Sequence, residues 1–497
     1  MRVVFYSSCS NHFDPKIVHI KTLPSWADEW SRVAAAFPQH QFVIATMLPA
    51  MFLLDYDGER VSKPSGVECH LLKGGGAEEI AQEILALRPD VAVAASFWIT
   101  PYDWLGLQDA MAADILRSHG VRVVSHQAKT QALCFDKKSA GDFLKSNGFK
   151  CAASVYVDYD MFWAERKKPE VRDNVYREYV LREISKLRFP VIIKDTVGLS
   201  SYGMEVVPTM GAVRNYLESK KFNSARLVEE FLDGPQFGTE IHVTKTVCKP
   251  KTGGAAPADG AVQESAAIDV FPPLLYSVNQ YGICSPKQSV KLGPLVLPAF
   301  KCRELKSELE RLARLLDFEG IAQVDLVFHQ GEWHIIEINP RLSGSSAAIA
   351  LIKGKTLPRI LADFALAGAG LQDQEAAAGD SGKTQKAAGP SLGLASDSGL
   401  WRENPPLFLN IKFPNLNEAQ MKALAGLPFV RYLCQTDNDA AKQRREMGFC
   451  EILIGGASDP RALRVQLEEI ERKFPDIIEP SFFDTAKKML DFLLKNS

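Results

Sequence analysis

The stretch GIAQVDLVFHQGEWHIIEINPRLSG, residues 320–344, decides the fold of this chain. Two largely apolar segments, Ala322–Phe328 and Glu332–Ile338, flank the dipeptide Gln330-Gly331. Segments of this length around a short glycine-containing turn are typical of a β-hairpin. We therefore predict two antiparallel strands here.

Four polar residues interrupt this predicted hairpin in a regular pattern. Strand alternation places Glu337 and Asn339 on one face, and the hairpin partner brings Asp325 beside them. Three oxygen ligands on adjacent strands suit Mg²⁺, which also relieves the repulsion between two close carboxylates. Arg341 lies two positions further on, where it can stabilise a transferring phosphoryl group or an oxyanion.

A second segment, FPVIIKDTVGLSSYGMEVV, residues 189–207, places a lysine before a loop of small residues. Lys194 ends an apolar run and supplies a point charge for a phosphate. The backbone N–H groups of the loop can approach phosphate oxygens closely. The order differs from a P-loop, in which the lysine follows the glycines. The loop residues expected to contact phosphate are Gly198, Ser200, Ser201 and Gly203.

A third segment, RLVEEFLDGPQFGTEIHV, residues 226–243, joins an apolar strand to the turn Asp233-Gly234-Pro235. Such a segment can offer backbone groups to the edge of an adenine and carboxylates to amino or ribose groups. It also supplies an apolar wall. Taken alone, it could equally be an ordinary strand–turn–strand unit.

The distribution of apolar runs divides the chain into four parts. Residues 1–130 alternate short strands with helices and predict a small open α/β domain. Residues 131–370 change to an α+β pattern. The Ala/Gly/Ser-rich residues 371–400 are typical of a flexible linker, and residues 401–497 predict a C-terminal α+β module. A second low-complexity stretch, residues 252–260, reads as a flexible insertion.

The composition excludes several functional classes. A chain of 497 residues with 46 % apolar and 24 % charged residues is ordinary for a globular protein. The net charge of −2 and the lack of a Lys/Arg-rich run argue against nucleic-acid binding. No run of 18 apolar residues occurs in the sequence, so we expect a soluble, cytoplasmic protein without a membrane segment. Nine scattered cysteines without a CxxC pair indicate free thiols.

Taken in order, the three segments resemble the ATP-grasp superfamily of carboxylate–amine and carboxylate–thiol ligases. The features that carry the resemblance are a lysine with a glycine loop, then EEFLxG, then D…ExNxR. Residues 1–130 resemble the pre-ATP-grasp domain. The segment FDKKSAGDFLKSNGF, residues 135–149, resembles the helix of the family that carries a DK…G pattern. The C-terminal module is similar to that of the biotin carboxylase-like and L-amino-acid ligase branches.

The resemblance implies a role for each matching residue. Lys137 and Lys194 match the two lysines that contact the nucleotide phosphates, and Arg341 matches the catalytic arginine. Many relatives carry a ribose-binding glutamate where this chain has Gln236, so the ribose ligand is either Gln236 or Glu240. The positions that match the magnesium triad are Asp325, Glu337 and Asn339. The positions that match the adenine hinge and its surroundings are Glu229, Glu230, Phe231, Leu232, Gln236 and Glu240.

The resemblance also implies an activity. We expect an ATP-dependent ligase that activates a carboxylate, of an amino acid by the commonest expectation, as an acyl phosphate and joins it to an amine. The cofactors would be ATP and Mg²⁺, with Mn²⁺ as a substitute, and family habit implies a homodimer. The alternatives are a biotin carboxylase-like subunit and a non-catalytic nucleotide-binding protein. The lower glycine content of the loop counts against the carboxylase, and retention of the metal carboxylates and Arg341 counts against the non-enzyme.

Overall fold

The structure is a computed structural model that describes residues 1–8, 19–48, 50, 52–97, 105–197, 204–248, 263–279, 282–284, 289–369, 399–402, 404–413, 416–437, 449–475 and 480–496. The predicted insertion at 252–260, residues 371–398 of the predicted linker, and the loop residues Gly198, Ser200, Ser201 and Gly203 lie outside these ranges. Within the described ranges, no helix combines the length and the apolar character that crossing a membrane requires.

The described residues form both strands and helices. The strands are β1 (Arg2–Ser7), β2 (His19–Leu23), β3 (Gln41–Thr46), β4 (Val67–Leu71), β5 (Val91–Ala94), β6 (Arg122–Val124), β7 (Ser154–Val157), β8 (Val191–Asp195), β9 (Glu205–Val207), β10 (Arg226–Glu230), β11 (Gln236–Cys248), β12 (Gln263–Val270), β13 (Leu274–Tyr276), β14 (Ser289–Gly293), β15 (Gly320–His329), β16 (Glu332–Asn339), β17 (Leu407–Phe413), β18 (Val430–Asp437) and β19 (Phe449–Ala457).

The helices lie among these strands along the described chain. They are α1 (Trp26–Ala36), α2 (Ala77–Ala86), α3 (Leu105–Ser118), α4 (Ala128–Phe135), α5 (Lys137–Ser146), α6 (Tyr159–Phe162), α7 (Ala164–Lys167), α8 (Val175–Ile184), α9 (Met210–Glu218), α10 (Cys302–Leu315), α11 (Ser346–Ile352), α12 (Leu357–Gly368), α13 (Glu418–Ala425), α14 (Pro460–Lys473) and α15 (Pro480–Asn496).

The N-terminal sheet is parallel and has the strand order β4–β3–β1–β5–β6. The central strands β1, β3 and β5 are largely apolar because both of their faces are covered, whereas the edge strand β4 is partly exposed. Along β1, Val3 and Phe5 pack into one core and Val4 and Tyr6 into another. The strand order reverses direction between β1 and β5. In open parallel sheets, such a switch point leaves a crevice at the carboxyl ends of the strands.

A four-stranded antiparallel sheet, in the order β7–β10–β8–β9, forms a separate layer after α5. Helices α8 and α9 supply apolar side chains to its core, including Val180, Ile184, Val213 and Leu217. The register pairs Leu227 with Lys194. Because the two strands are antiparallel, the end of β8 lies next to the start of β10.

The largest sheet joins the predicted α+β domain to the C-terminal module. Its path is β16–β15–β11–β13–β14–β17–β19–β18–β2, with β12 paired to β11. The α+β domain and the C-terminal module meet in the β14–β17 ladder, in which Lys291 pairs with Asn410. The predicted boundary at 371–400 therefore separates the segments along the chain but not in the sheet. The α/β and α+β fold class predicted from the sequence is confirmed.

Strand β2 belongs to this large sheet and not to the N-terminal one. It pairs with β18, so that Thr22 lies opposite Cys434. The side chain of Asp55 fixes it there, because Oδ1 accepts a hydrogen bond from Thr22 N (2.8 Å) and Oδ2 accepts one from Trp26 N (2.7 Å). The N-terminal segment thereby supplies an outer strand of the C-terminal part.

Candidate active site

The hairpin of β15 and β16 brings two acids and an amide together. Asp325 pairs with Glu337, and Gln323 with Asn339, across the ladder. The turn Gln330-Gly331 has φ values of 49° and 78°, in the left-handed region that tight hairpin turns use. The cross-strand placement of the two carboxylates agrees with the predicted alternation.

Asp325 carries a carboxyl group that the fold does not neutralise fully. Its Oδ1 accepts a hydrogen bond from Gln323 Nε2 (2.5 Å). The pKa of Asp325 is raised to about 7, first by burial and then by the neighbouring carboxylate of Glu337, while the cations of Lys291 and Arg341 act in the opposite direction. A divalent cation would favour the ionised form, so this environment suits a metal ligand.

Glu337 is the better compensated acid of the pair. Its Oε1 lies 2.7 Å from Lys137 Nζ, at the start of α5. Burial opposes ionisation of Glu337, but the nearby Lys137, Lys194 and Arg341 lower its pKa below the ordinary value. The structure therefore places both predicted phosphate lysines within electrostatic reach of one metal-site carboxylate.

Lys194 and Glu229 form a buried ion pair on the four-stranded sheet. Lys194 is 4 % exposed, and its Nζ lies 2.6 Å from Glu229 Oε2. Glu230 faces the other way, and its Oε1 accepts a hydrogen bond from Arg188 N (2.9 Å). Of the two acids in the EEFL segment, Glu229 is therefore the one on the side of Lys194.

The rest of the predicted hinge follows β10. Phe231 N donates a hydrogen bond to Pro190 O (3.0 Å), which ties the hinge to the start of β8. Leu232 is partly buried in the same segment. Gln236 begins β11, and its Nε2 donates to Gly282 O.

Glu240 lies in a different environment from the other predicted residues. It is 0 % exposed. Its Oε1 accepts hydrogen bonds from Ser343 Oγ (2.7 Å) and Ser346 Oγ (2.5 Å), and its Oε2 contacts His242 Nε2 (3.1 Å). Oε1 therefore anchors the loop after Arg341, and Oε2 is engaged by His242 on the same strand. The structure does not bring Glu240 to the group around Lys194.

Asn339 and Arg341 are joined at the end of β16. Arg341 Nη2 donates to Asn339 Oδ1 (3.2 Å), and Nη1 donates to Leu342 O (2.9 Å). Asn339 Nδ2 donates in turn to Gln323 Oε1 (2.7 Å). These bonds orient the amide oxygen and the guanidinium group on the side of the hairpin that carries Asp325.

Lys291 is a site residue that the sequence analysis did not select. Its Nζ donates to Ser345 Oγ and lies 4.6 Å from the centre of the Tyr276 ring. Burial, and then the cation of Lys412, lower its pKa to about 8. The only signal in the sequence was the run Lys291-Leu292-Gly293-Pro294 at a strand end, which does not identify a sheet neighbour.

Together these residues fit an oxygen-ligated divalent cation beside a polyphosphate. Asp325, Glu337 and Asn339 supply two carboxylates and one amide oxygen from adjacent strands, which is the donor set that Mg²⁺ prefers. Burial and the carboxylate of Glu337 raise the pKa of Asp325 although Lys291 and Arg341 act in the opposite direction, and a divalent cation would favour its ionised form. Lys137 and Lys194 supply cations for phosphate oxygens.

The sequence of this chain is similar to part of a curated protein. No protein-family model matches the chain. The carbamoyl phosphate synthase large chain of Gemmatimonas aurantiaca is 24 % identical over 184 residues, which are 36 % of this chain and 15 % of that protein. The chain thus matches only a small part of the length of this curated relative.

Two solved structures cover nearly the whole chain. The biotin carboxylase domain of 2-oxoglutarate carboxylase from Hydrogenobacter thermophilus has a TM-score of 0.57 at 13 % identity, over 99 % of this chain and 95 % of that one. The L-amino acid ligase of Bacillus licheniformis also has a TM-score of 0.57 at 13 % identity, over 96 % and 97 %. These likenesses confirm the fold that the sequence predicts, and the chain has the ATP-grasp fold.

Proposed function

We propose that the chain is an ATP-dependent ligase that activates a carboxylate as an acyl phosphate, couples it to an amine, and releases ADP and phosphate. The observation that carries this proposal is the pairing of Asp325 with Glu337 beside Lys137. Two acids on paired strands, with a lysine beside one of them, suit a metal-bound polyphosphate.

The nucleotide would lie between the four-stranded sheet and the large sheet. Lys137 and Lys194 would hold its phosphates, and the segment Glu229–Leu232 would face the adenine. We propose Gln236 as the ribose ligand, because Glu240 is completely buried and engaged with two serines. The loop residues Gly198, Ser200, Ser201 and Gly203 stay predicted phosphate contacts.

The reaction would proceed in two steps. An oxygen of the carboxylate substrate attacks the γ-phosphorus of ATP, and the bond to ADP breaks. The amine nitrogen then attacks the acyl carbon, phosphate leaves, and the nitrogen loses a proton. A metal on Asp325, Glu337 and Asn339 would supply charge neutralisation at the phosphates, while Arg341 would donate hydrogen bonds to the oxyanion.

Several further expectations rest on the relatives and stay predictions. One structural neighbour is an L-amino acid ligase, which supports an amino acid as the carboxylate substrate. Another neighbour was crystallised as a dimer, which supports a homodimer. The cytoplasmic location predicted from the sequence stays a prediction as well.

The test is a product analysis. Purified protein is incubated with Mg-ATP and pools of carboxylates and amines, and the nucleotides are separated by chromatography. The proposal expects ADP and phosphate to appear only with particular pools. AMP and pyrophosphate would contradict the acyl phosphate route. ADP release that requires bicarbonate and free biotin would favour the carboxylase alternative.

A further inference from the structure

A cavity lies at the carboxyl ends of the N-terminal parallel strands β5 and β6. Its volume is about 30 Å³, which is enough for about two water-sized groups. The walls come from β5, β6, the start of α3 and β15, and from Pro340–Leu342. The cavity therefore connects the N-terminal domain to the segment that carries Arg341.

One carboxylate oxygen in this cavity has no partner among the residues that the structure describes. Asp109, on α3, is 2 % exposed. Its Oδ1 accepts a hydrogen bond from Ser8 N (2.9 Å) and another from Ser8 Oγ, whereas its Oδ2 is buried without a hydrogen bond. A buried carboxylate oxygen without a partner is costly, so it indicates a missing donor.

The other titratable side chains of the cavity do not supply that donor. His126 Nε2 donates to Ile321 O (2.8 Å), and its Nδ1 accepts from Glu319 N (3.3 Å), so the ring is neutral with both nitrogens engaged. The carboxylate of Glu319 pairs with Arg122. The guanidinium of Arg341 donates to its own strand end.

We propose that this cavity binds the ammonium group of an α-amino acid, and that this amino acid is the carboxylate substrate. The ammonium would donate to Asp109 Oδ2, and the carboxylate of the same molecule would extend toward Arg341, which forms another part of the wall. A cation of this size fits the volume and replaces the missing donor. This inference rests on the proposed ligase function.

Direct binding of methylammonium tests the site without requiring turnover. Isotope-labelled methylammonium chloride is titrated into the full chain and followed by the NMR line width of its methyl group. We expect saturable binding to the wild type and at least tenfold weaker binding to Asp109→Asn. Asparagine keeps an acceptor for both Ser8 hydrogen bonds, so this variant should fold. A circular dichroism melt checks that it does.

Two further variants keep the binding test falsifiable. Asp114→Asn changes a half-exposed acid on the same helix and should bind like the wild type. Gly106→Ala adds a methyl group to the cavity wall, 3.6 Å from Gln131 Oε1, and should weaken binding without a clash. No saturable binding to the wild type, or equal binding to Asp109→Asn, would overturn the inference.

A trapping assay separates this inference from the ligase proposal. Hydroxylamine captures an acyl phosphate as a hydroxamate and releases phosphate, so no amine substrate is needed. L-amino acids are compared with the matching acids that lack the amino group, such as alanine with propionate. We expect the wild type to favour amino acids and Asp109→Asn to lose at least tenfold of that preference. Equal use of both classes would contradict the ammonium site, whereas no hydroxamate from any acid would contradict the ligase proposal.

Discussion

Two acids on neighbouring strands of the large sheet have opposite surroundings. Glu240 on β11 is completely buried, yet two serine hydroxyls and His242 satisfy its oxygens. Asp325 on β15 lies next to a second carboxylate, and its pKa is raised to about 7. The adjoining strands are paired in one ladder, so the difference arises from side-chain partners and not from the backbone.

This difference separates a structural acid from a functional one. A buried charge that the protein itself compensates holds a loop in place and needs no ligand. A partly compensated buried carboxylate must hold a proton or bind a cation, and such groups concentrate at functional sites. Burial alone therefore does not identify the site, whereas the lack of compensation does.

Removing both metal-site carboxylates should have the largest effect. We expect the double variant Asp325→Asn, Glu337→Gln to lose more than about 1,000-fold of kcat/KM for ADP release, because two of the three metal ligands are gone and losing even an outer partner costs about 10- to 100-fold. The matched control is Glu332→Gln, on the same strand but paired at the surface with Lys150. Activity of the double variant within tenfold of the wild type would contradict the metal site.

Removing the compensated acid should affect folding more than chemistry. Glu240→Ala leaves Ser343, Ser346 and His242 without their shared acceptor. Each buried donor left without a partner costs about 1 to 3 kcal/mol, so we expect the free energy of unfolding to fall by about 3 to 5 kcal/mol. Urea denaturation measures this change. Glu240→Gln keeps one acceptor oxygen and should lose less. Equal stability of Glu240→Ala and the wild type would show that the network does not hold the loop.

Arg341 should act on the reaction and not on nucleotide binding. We expect Arg341→Ala to lower kcat by about 100- to 1,000-fold, the range for losing one oxyanion donor, with KM for ATP nearly unchanged. Steady-state kinetics of ADP release measure both constants. Arg341→Lys should recover part of the rate because it restores the charge. A large rise in KM for ATP with an unchanged kcat would assign Arg341 to ground-state binding.

The smallest expected effect is a pH dependence of stability in the absence of metal. The pKa of Asp325 is raised from its ordinary value of 3.8 to about 7. Between these values the folded chain holds a proton that the unfolded chain releases, so stability falls as pH rises, by about 1.4 kcal/mol per pH unit. The stability of Asp325→Asn in EDTA, relative to the wild type, should therefore increase from pH 5 to pH 7.

Magnesium provides the control for this pH experiment. Saturating Mg²⁺ should stabilise the wild type and reduce the difference from Asp325→Asn, because the metal replaces the proton. The pKa of Asp109 is also raised to about 7. Because both the wild type and Asp325→Asn contain Asp109, its contribution to the pH dependence of stability cancels in the difference between them. A difference that is independent of pH would contradict the assigned environment of Asp325.

The local sequence pattern predicts the pairing of the two carboxylates in the hairpin, but it does not predict that Lys291 lies beside them. The pairing of Asp325 with Glu337 follows from alternation in a single hairpin with a short turn, so a sequence window of 25 residues contains it. Lys291 reaches the site through a strand whose partner, β17, lies more than 100 residues further on. Periodicity indicates which face a residue occupies but not which distant strand lies beside it.

The same reasoning explains why the sequence did not show that Glu240 lies away from the group around Lys194. Its position after the hinge matches the family order, and alternation alone does not distinguish a ligand-facing acid from an inward-facing one. The deciding partners, Ser343 and Ser346, lie about 100 residues away in the loop after Arg341. The compensation of a buried charge is a tertiary property, and single-strand patterns do not contain it.

The pairing of β2 with β18 has a consequence for synthesis. Leu23 and Leu433 are partners although about 400 residues separate them. At about 5 to 20 residues per second, a ribosome needs about 20 to 80 seconds to make the intervening chain. During that interval the nascent β2 has no native neighbour in the large sheet. Strand β2 therefore takes its place in the large sheet only after β18 has been synthesised.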